Sequence, residues 1–346
     1  MPHLPPEISP EDLAACQALL AGGSKSFRAA QLLLPRRVAA PAAALYAFCR
    51  IADDEIDLAE GGAGALARLA ARLDDAYAGR PQSGPVDRAF AHVAARFAIP
   101  RALPGALLEG LAWDAEGRRY EDLPALEAYC ARVAAAVGAM MTLLMGVRDA
   151  PAIARACDLG VGMQLTNIAR DVGEDARNGR IYLPLSWLRE EGVEPEVWLA
   201  APRFTPAIGR VVARLLAAAD ACYARSEAGI PLLPRDCRAG IGAARFVYAG
   251  IGRAVERQGL DSIAARAWVP GRRKAWLMLS GLRALAWRVG EGAALPPLPA
   301  TRFLVEAVAN APAPSEATSQ GLGERIAWAA DLLARLDGMD RRTATG

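Results

Sequence analysis

The chain has 346 residues, 53% of them hydrophobic, and its 40 basic and 38 acidic side chains leave a net charge of +2. That balance argues against a protein that holds nucleic acid by bulk electrostatics, and no contiguous basic stripe with interleaved aromatics is expected. With only His3 and His92 present, His-ligated metals and Ser-His-Asp chemistry are also disfavoured, so a metal site must use oxygen donors, which suit magnesium or manganese.

Alanine supplies much of the hydrophobic fraction, and the alternating β-branched runs that mark strands are scarce, so the expected class is all-α. Residues Met1 to Pro10 lack the basic-then-apolar pattern of a signal peptide. Ser9 is the expected N-cap of a helix over Pro10 to Ala21, with Asp12 at the capping-box position. Gly22-Gly23 breaks the chain before Ser24-Lys25-Ser26, and Pro41 is expected to open a helix that Gly61-Gly62 ends. Further helices are expected near 63–78, 85–98 and 101–117, then from Pro124 to about Gly146, and over 151–176 up to Asn178-Gly179. Helices near 205–228, 236–258 and 271–290 complete a single large helical domain, 9–290. Residues 291–346 read as a Pro-containing linker followed by a short amphipathic helix, 323–336.

The uncharged run Val133 to Val147 falls short of a bilayer crossing, which needs about 20 apolar residues, so no transmembrane helix is expected. The six cysteines contain no C-x-x-C pair and read as buried thiols in a reducing compartment. The expected location is cytoplasmic, with a peripheral contact at the inner membrane face left open, and the oligomeric state is not legible.

Two helices carry polar stripes on otherwise apolar surfaces. Tyr46, Arg50, Asp53 and Asp57 lie at offsets 0, 4, 7 and 11, within roughly a 60° arc at ~100° per residue. Gln164, Asn167, Asp171 and Asp175 lie at 0, 3, 7 and 11, within roughly 80°, with Arg170 on the edge. Carboxylates at i and i+4 repel each other, and helices this apolar belong in an interior where charge must be paired or held on a metal. Facing each other, the stripes would present four carboxylates and an amide oxygen. Divalent cations would cancel their repulsion and leave coordination sites for an anion. Diphosphate is the natural candidate, with Arg50 and Arg170 donating charge-assisted hydrogen bonds to it.

The same residues carry a family resemblance. Leu45-Tyr46-Ala47-Phe48-Cys49-Arg50 with Asp53-Asp54-Glu55-Ile56-Asp57 resembles the first aspartate motif of the squalene and phytoene synthase family. Gln164 to Asp175, followed by Gly179-Arg180-Ile181-Tyr182-Leu183-Pro184, resembles the second. The likeness runs from about Ser24 to about Lys274, and within the family it is to the bacterial, phytoene-forming branch.

That resemblance implies an all-helical prenyl-synthase fold around a deep cavity, with Mg2+ or Mn2+ on Asp53, Asp57, Asn167, Asp171 and Asp175. It also implies diphosphate contacts at Ser24, Lys25, Ser26, Tyr46, Arg50, Gln164, Arg170 and Tyr248. The expected reaction is head-to-head condensation of two geranylgeranyl diphosphates to phytoene by way of a cyclopropyl diphosphate. The base is left open among Tyr46, Tyr248 and released diphosphate. Alternatives are a squalene, hydroxysqualene or C30 dehydrosqualene synthase acting on farnesyl diphosphate, a non-catalytic assembly factor of the same fold, and a class I terpene cyclase.

No G-x-G-x-x-G sits between a strand and a helix, so no nicotinamide cofactor is expected. Ala134, Ala135, Gly138 and Ala139 are expected to leave room for prenyl chains. Ala169, where the family more usually has a larger aliphatic residue, is expected to widen the cavity locally. Arg118, Arg119 and Tyr120 fit either the cavity mouth or a solvated surface.

Overall fold

The computed structural model describes residues 7–22, 33–57 and 63–313. Ser24, Lys25, Ser26, the ends of the chain and the helix expected over 323–336 lie outside the described residues. Among those described, every regular element is helical: α1 Pro10–Gly22, α2 Arg36–Asp57, α3 Ala63–Tyr77, α4 Pro85–Arg96 and α5 Ala102–Ala115 come first. They are followed by α6 Leu123–Leu144, α7 Ala150–Arg177, α8 Leu185–Glu190, α9 Pro195–Ala200, α10 Pro206–Glu227, α11 Arg235–Arg257, α12 Gly271–Ser280 and α13 Arg302–Ala309.

Local chemistry sets most boundaries as the sequence suggests. Ser9 Oγ accepts the Asp12 N–H at 3.1 Å, and Thr205 caps α10 by accepting the Ile208 N–H. Gly179, at φ 74°, ends α7 where a side chain would be strained.

Three expectations are corrected. First, α2 begins at Arg36 rather than at Pro41, which lies inside the helix. Pro35 supplies the start, its carbonyl accepting the N–H groups of Val38 and Ala39. Second, the helix expected over 271–290 stops at Ser280 and continues only as a 3-10 segment to Ala286. Gly281 meets the α11 backbone there: a Cβ on it would fall 2.6 Å from Ala239 O and Ala243 N.

Third, residues 291–309 are not a linker. Leu304, Val305 and Val308 are buried in the main core, Ala293 is buried as well, and α13 packs against α7 and α5. Buried Arg155, 1% exposed, holds this segment by donating to Gly292 O at 3.0 Å and Pro296 O at 3.1 Å. Its Nε lies 2.8 Å from Oδ2 of Asp158, which is fully buried, and Arg225 Nε donates to the same oxygen at 3.1 Å. Burial pushes the Asp158 carboxyl up against the opposing pull of both arginines.

The centre of the fold is α6 against α7. α6 has the length and apolarity of a membrane span, but it lies inside the bundle, packed on α5 and α7. A π-helical turn over Ala131–Ala135 interrupts it, an irregularity common beside functional sites. The two backbones nearly touch. A Cβ at Gly160 would lie 2.7 Å from Ala135 Cα, and one at Gly138 would lie 2.7 Å from Ala156 O. Ala135 and Ala139 are therefore fully buried packing residues rather than cavity wall.

Gly160→Ala places its methyl against main chain that has no rotamer to yield. A loss of about 1–3 kcal/mol in urea unfolding is expected, against little or no change for the exposed Gly22→Ala.

Candidate active site

One cavity of about 320 Å³ runs between α2, α6, α7 and α11. Its polar lining is concentrated at Tyr46 on α2, Gln164 and Asn167 on α7, and Tyr248 on α11. Helical spacing builds the apolar walls: Val133, Val137 and Met141 descend α6 at i, i+4 and i+8, Met145 follows just past its end, and Ala134, Gly138 and Thr142 lie beside them. Ala152, Ala156, Leu159, Gly160 and Met163 continue down α7. Arg155, Ser226, Gly229 and Ile230 close the deep part. The depth reached through Ser226 to Leu233 was not legible in sequence, because nothing marks this turn as facing α7. Of the residues expected to make room, Ala134 and Gly138 line the wall. Ala169 is fully buried and not part of the lining, so it does not widen the cavity.

Both stripes continue past the lined region. On α2, Arg50 donates from Nε to Asp54 Oδ2 at 3.0 Å and stands 3.7 Å from Asp53. Asp53 is about half exposed, and Asp57 is the last residue of the helix, with its side chain outside the description. On α7, the Asn167 amide lies 3.4 Å from Gln164 Oε1. Asp171 accepts from Arg170 at 2.7 and 2.6 Å and from Arg266 at 2.7 and 3.0 Å. Arg266 also stands 3.4 Å from Glu174. It was missed in the sequence because it sits 95 residues from its partner.

Asp175 is pushed up to about 7, first by burial and then by the charges of Asp171 and Glu174, with Arg180 opposing. Arg180 therefore offsets only part of the push from burial and the two neighbouring carboxylates. Cys49 reaches the lining, and burial raises its thiol to about 12, which removes it as a nucleophile.

A supporting cluster lies behind the second stripe. Tyr129 and Tyr182 both donate to Asp114, at 2.8 and 2.7 Å, and their rings stack with centroids 5.3 Å apart. Tyr120 is buried beside them, Arg118 lies over Trp113, and Arg119 pairs with Glu196. None of the three lines the cavity, and Tyr120 is buried rather than on the surface.

The donor chemistry fits a hard divalent cation, with carboxylate and amide oxygens across the two stripes and Asp175 pushed up by burial and by neighbouring carboxylates. Among the described residues no three such groups converge into a ready-made cage.

The squalene/phytoene synthase family model matches residues 20–277, and the chain belongs to that family. A phytoene synthase of Cereibacter sphaeroides is 51% identical over 97% of this chain and 96% of its own length. Another, of Rhodobacter capsulatus, is 55% identical over 78% of this chain and 81% of its own. A 15-cis-phytoene synthase of a Paracoccus is 42% identical over 70% of this chain and 82% of its own. Among solved structures, a dehydrosqualene synthase in complex with a ligand superposes with a TM-score of 0.73 at 34% identity, covering 80% of this chain and 97% of that one. A squalene synthase of Alicyclobacillus acidocaldarius gives 0.67 at 26%, covering 72% and 94%.

Removing Asp158 would leave Arg155 charged and buried at the deep end. Asp158→Ala is expected to cost about 3–5 kcal/mol in chemical unfolding, far more than substitution of an exposed ion pair such as Arg189–Glu121.

Proposed function

We propose that this chain is a phytoene synthase: it joins two geranylgeranyl diphosphates head to head and releases two diphosphates and two protons. The observation that carries the reading is the cavity, polar at Tyr46, Gln164, Asn167 and Tyr248 and apolar for most of its remaining depth. The high identity to phytoene synthases along nearly the whole chain supports it.

Cavity depth favours the longer prenyl chain. The α7 lining runs from Asn167 to Ala152, fifteen residues apart, or roughly 22 Å at 1.5 Å per residue. An extended covalent chain advances about 1.2 Å per bond, so a geranylgeranyl group reaches roughly 18 Å and a farnesyl group roughly 13 Å. The shorter chain would leave the deep end unfilled, and empty apolar space costs packing energy.

Asp53, Asp57, Asn167, Asp171 and Asp175 would hold Mg2+ or Mn2+ together with substrate phosphate oxygens. The ion supplies neutralisation of the diphosphate, which makes it a leaving group. Arg50 and Arg170 sit beside these carboxylates and can donate to the departing diphosphate. Gln164, Tyr46 and Tyr248 orient it from the cavity, and Ser24, Lys25 and Ser26 are assigned to the same anion by family likeness. Departure leaves an allylic cation, which the double bond of the second substrate attacks. Loss of one proton closes the cyclopropane; a second ionisation and rearrangement form the 1–1′ bond; a last proton loss gives the central double bond. Tyr46, Tyr248 or the released diphosphate takes each proton. The Val133–Met145 and Ala152–Met163 walls exclude water, which would otherwise quench the cation.

Purified protein with Mg2+ and both prenyl diphosphates should consume geranylgeranyl diphosphate and yield a C40 hydrocarbon by mass spectrometry; consumption of farnesyl diphosphate alone would overturn the reading in favour of a C30 product. Asp171→Asn should abolish turnover with helical circular dichroism intact. Ala156→Phe, which fills the deep half, should cut kcat/KM for geranylgeranyl diphosphate at least about tenfold and spare farnesyl diphosphate; equal losses would refute the depth argument.

A further inference from the structure

No acidic residue stands between Asp261 and Glu291, whereas Arg266, Arg272, Arg273, Lys274, Arg283 and Arg288 all do, with Trp268, Trp276 and Trp287 among them. The basic stretch with interleaved aromatics that bulk composition hid is therefore present. In the structure, α12 divides it cleanly. Leu277 and Met278 turn inward onto Val247, Ile251 and Val269, with Tyr248 of the cavity packed against the same cluster. Trp268 is 70% exposed, Trp276 60% and Val289 59%, and Leu279 is also exposed. Arg272, Trp276 and Leu279 share one helix face at offsets 0, 4 and 7, and Arg272, Arg273, Arg283 and Arg288 are exposed.

We propose that this face, Trp268, Trp276 and Leu279 ringed by Arg272, Arg273 and Arg283, docks on an anionic lipid bilayer. Tryptophan beside exposed aliphatic side chains suits the headgroup boundary, and the arginines complement its negative charge. Nucleic acid would use the rings and the charge but has no use for Leu279 or Val289. A second copy of the chain meeting this face about a two-fold axis would bring two like basic clusters together. The docking face also adjoins the site: Trp268 lies two residues from Arg266, which grips Asp171, and α12 backs the helix that carries Tyr248. Docking there would bring the cavity close to lipid for a hydrocarbon product. That last link rests on the phytoene reading, but lipid binding is measured without substrate and stands or falls separately.

The test is co-sedimentation of the full chain with vesicles, either pure phosphatidylcholine or phosphatidylcholine with one-quarter phosphatidylglycerol. Binding to the anionic vesicles alone is expected, with a blue shift of tryptophan emission and weakening at 0.5 M salt. Trp268→Ser/Trp276→Ser/Leu279→Ser, and separately Arg272→Glu/Arg273→Glu, should each lower the partition at least about tenfold, since one basic group near such a surface contributes about fivefold. Turnover in detergent micelles should be unchanged, which controls for misfolding. Failure of the wild-type chain to bind either vesicle, unchanged binding by both variants, or displacement from vesicles by duplex DNA or RNA would overturn the proposal.

Discussion

Everything else in the molecule hangs on the approach of α6 to α7 to within backbone contact. Gly138, Gly160, Ala135 and Ala156 make the approach. Drawn together along that seam, the two helices splay their larger side chains to either side. One side becomes core; the other becomes the wall of Met141, Met145, Leu159 and Met163 around the cavity. The usual expectation that small residues mark empty space is half wrong here. Gly138, Gly160, Ala134 and Ala156 border the cavity, but Ala135 is small where Gly160 meets it, and Ala139 is fully buried outside the lining.

The second stripe shows how charge is managed beside an apolar interior. Asp171 is clasped by two guanidiniums, while Asp175, one turn on, is only partly offset by Arg180 and shifts upward. Neighbouring turns of one helix therefore hold one carboxylate clasped by two arginines and one that burial and adjacent carboxylates push upward. Asp114 behind them accepts from Tyr182 and so ties down the chain just after it leaves α7.

Much of this was legible from periodicity. The stripes on α2 and α7 could be read because helical spacing converts sequence offsets into a face without any tertiary information. Tyr46, Gln164 and Asn167 do meet around one cavity. What escaped was non-local. Arg266 reaches Asp171 from 95 residues away, and Arg155 is fastened to carbonyls some 140 residues on. Pro41 misled because its rule concerns intrinsic preference, and Pro35 with a buried helix overrode it. The prolines at 296, 297 and 299 looked like a linker, whereas the first offers its carbonyl to two arginines, Arg155 and Arg225.

That last attachment bears on where the protein can be cut. A chain ended at residue 290, at the edge of the recognisable motifs, would strip Arg155 of both acceptor carbonyls and uncover the core seats of Leu304 and Val308. The minimal autonomous unit therefore extends through α13, and fragments or fusions designed on motif boundaries would sever a tie that reaches the deep end of the cavity.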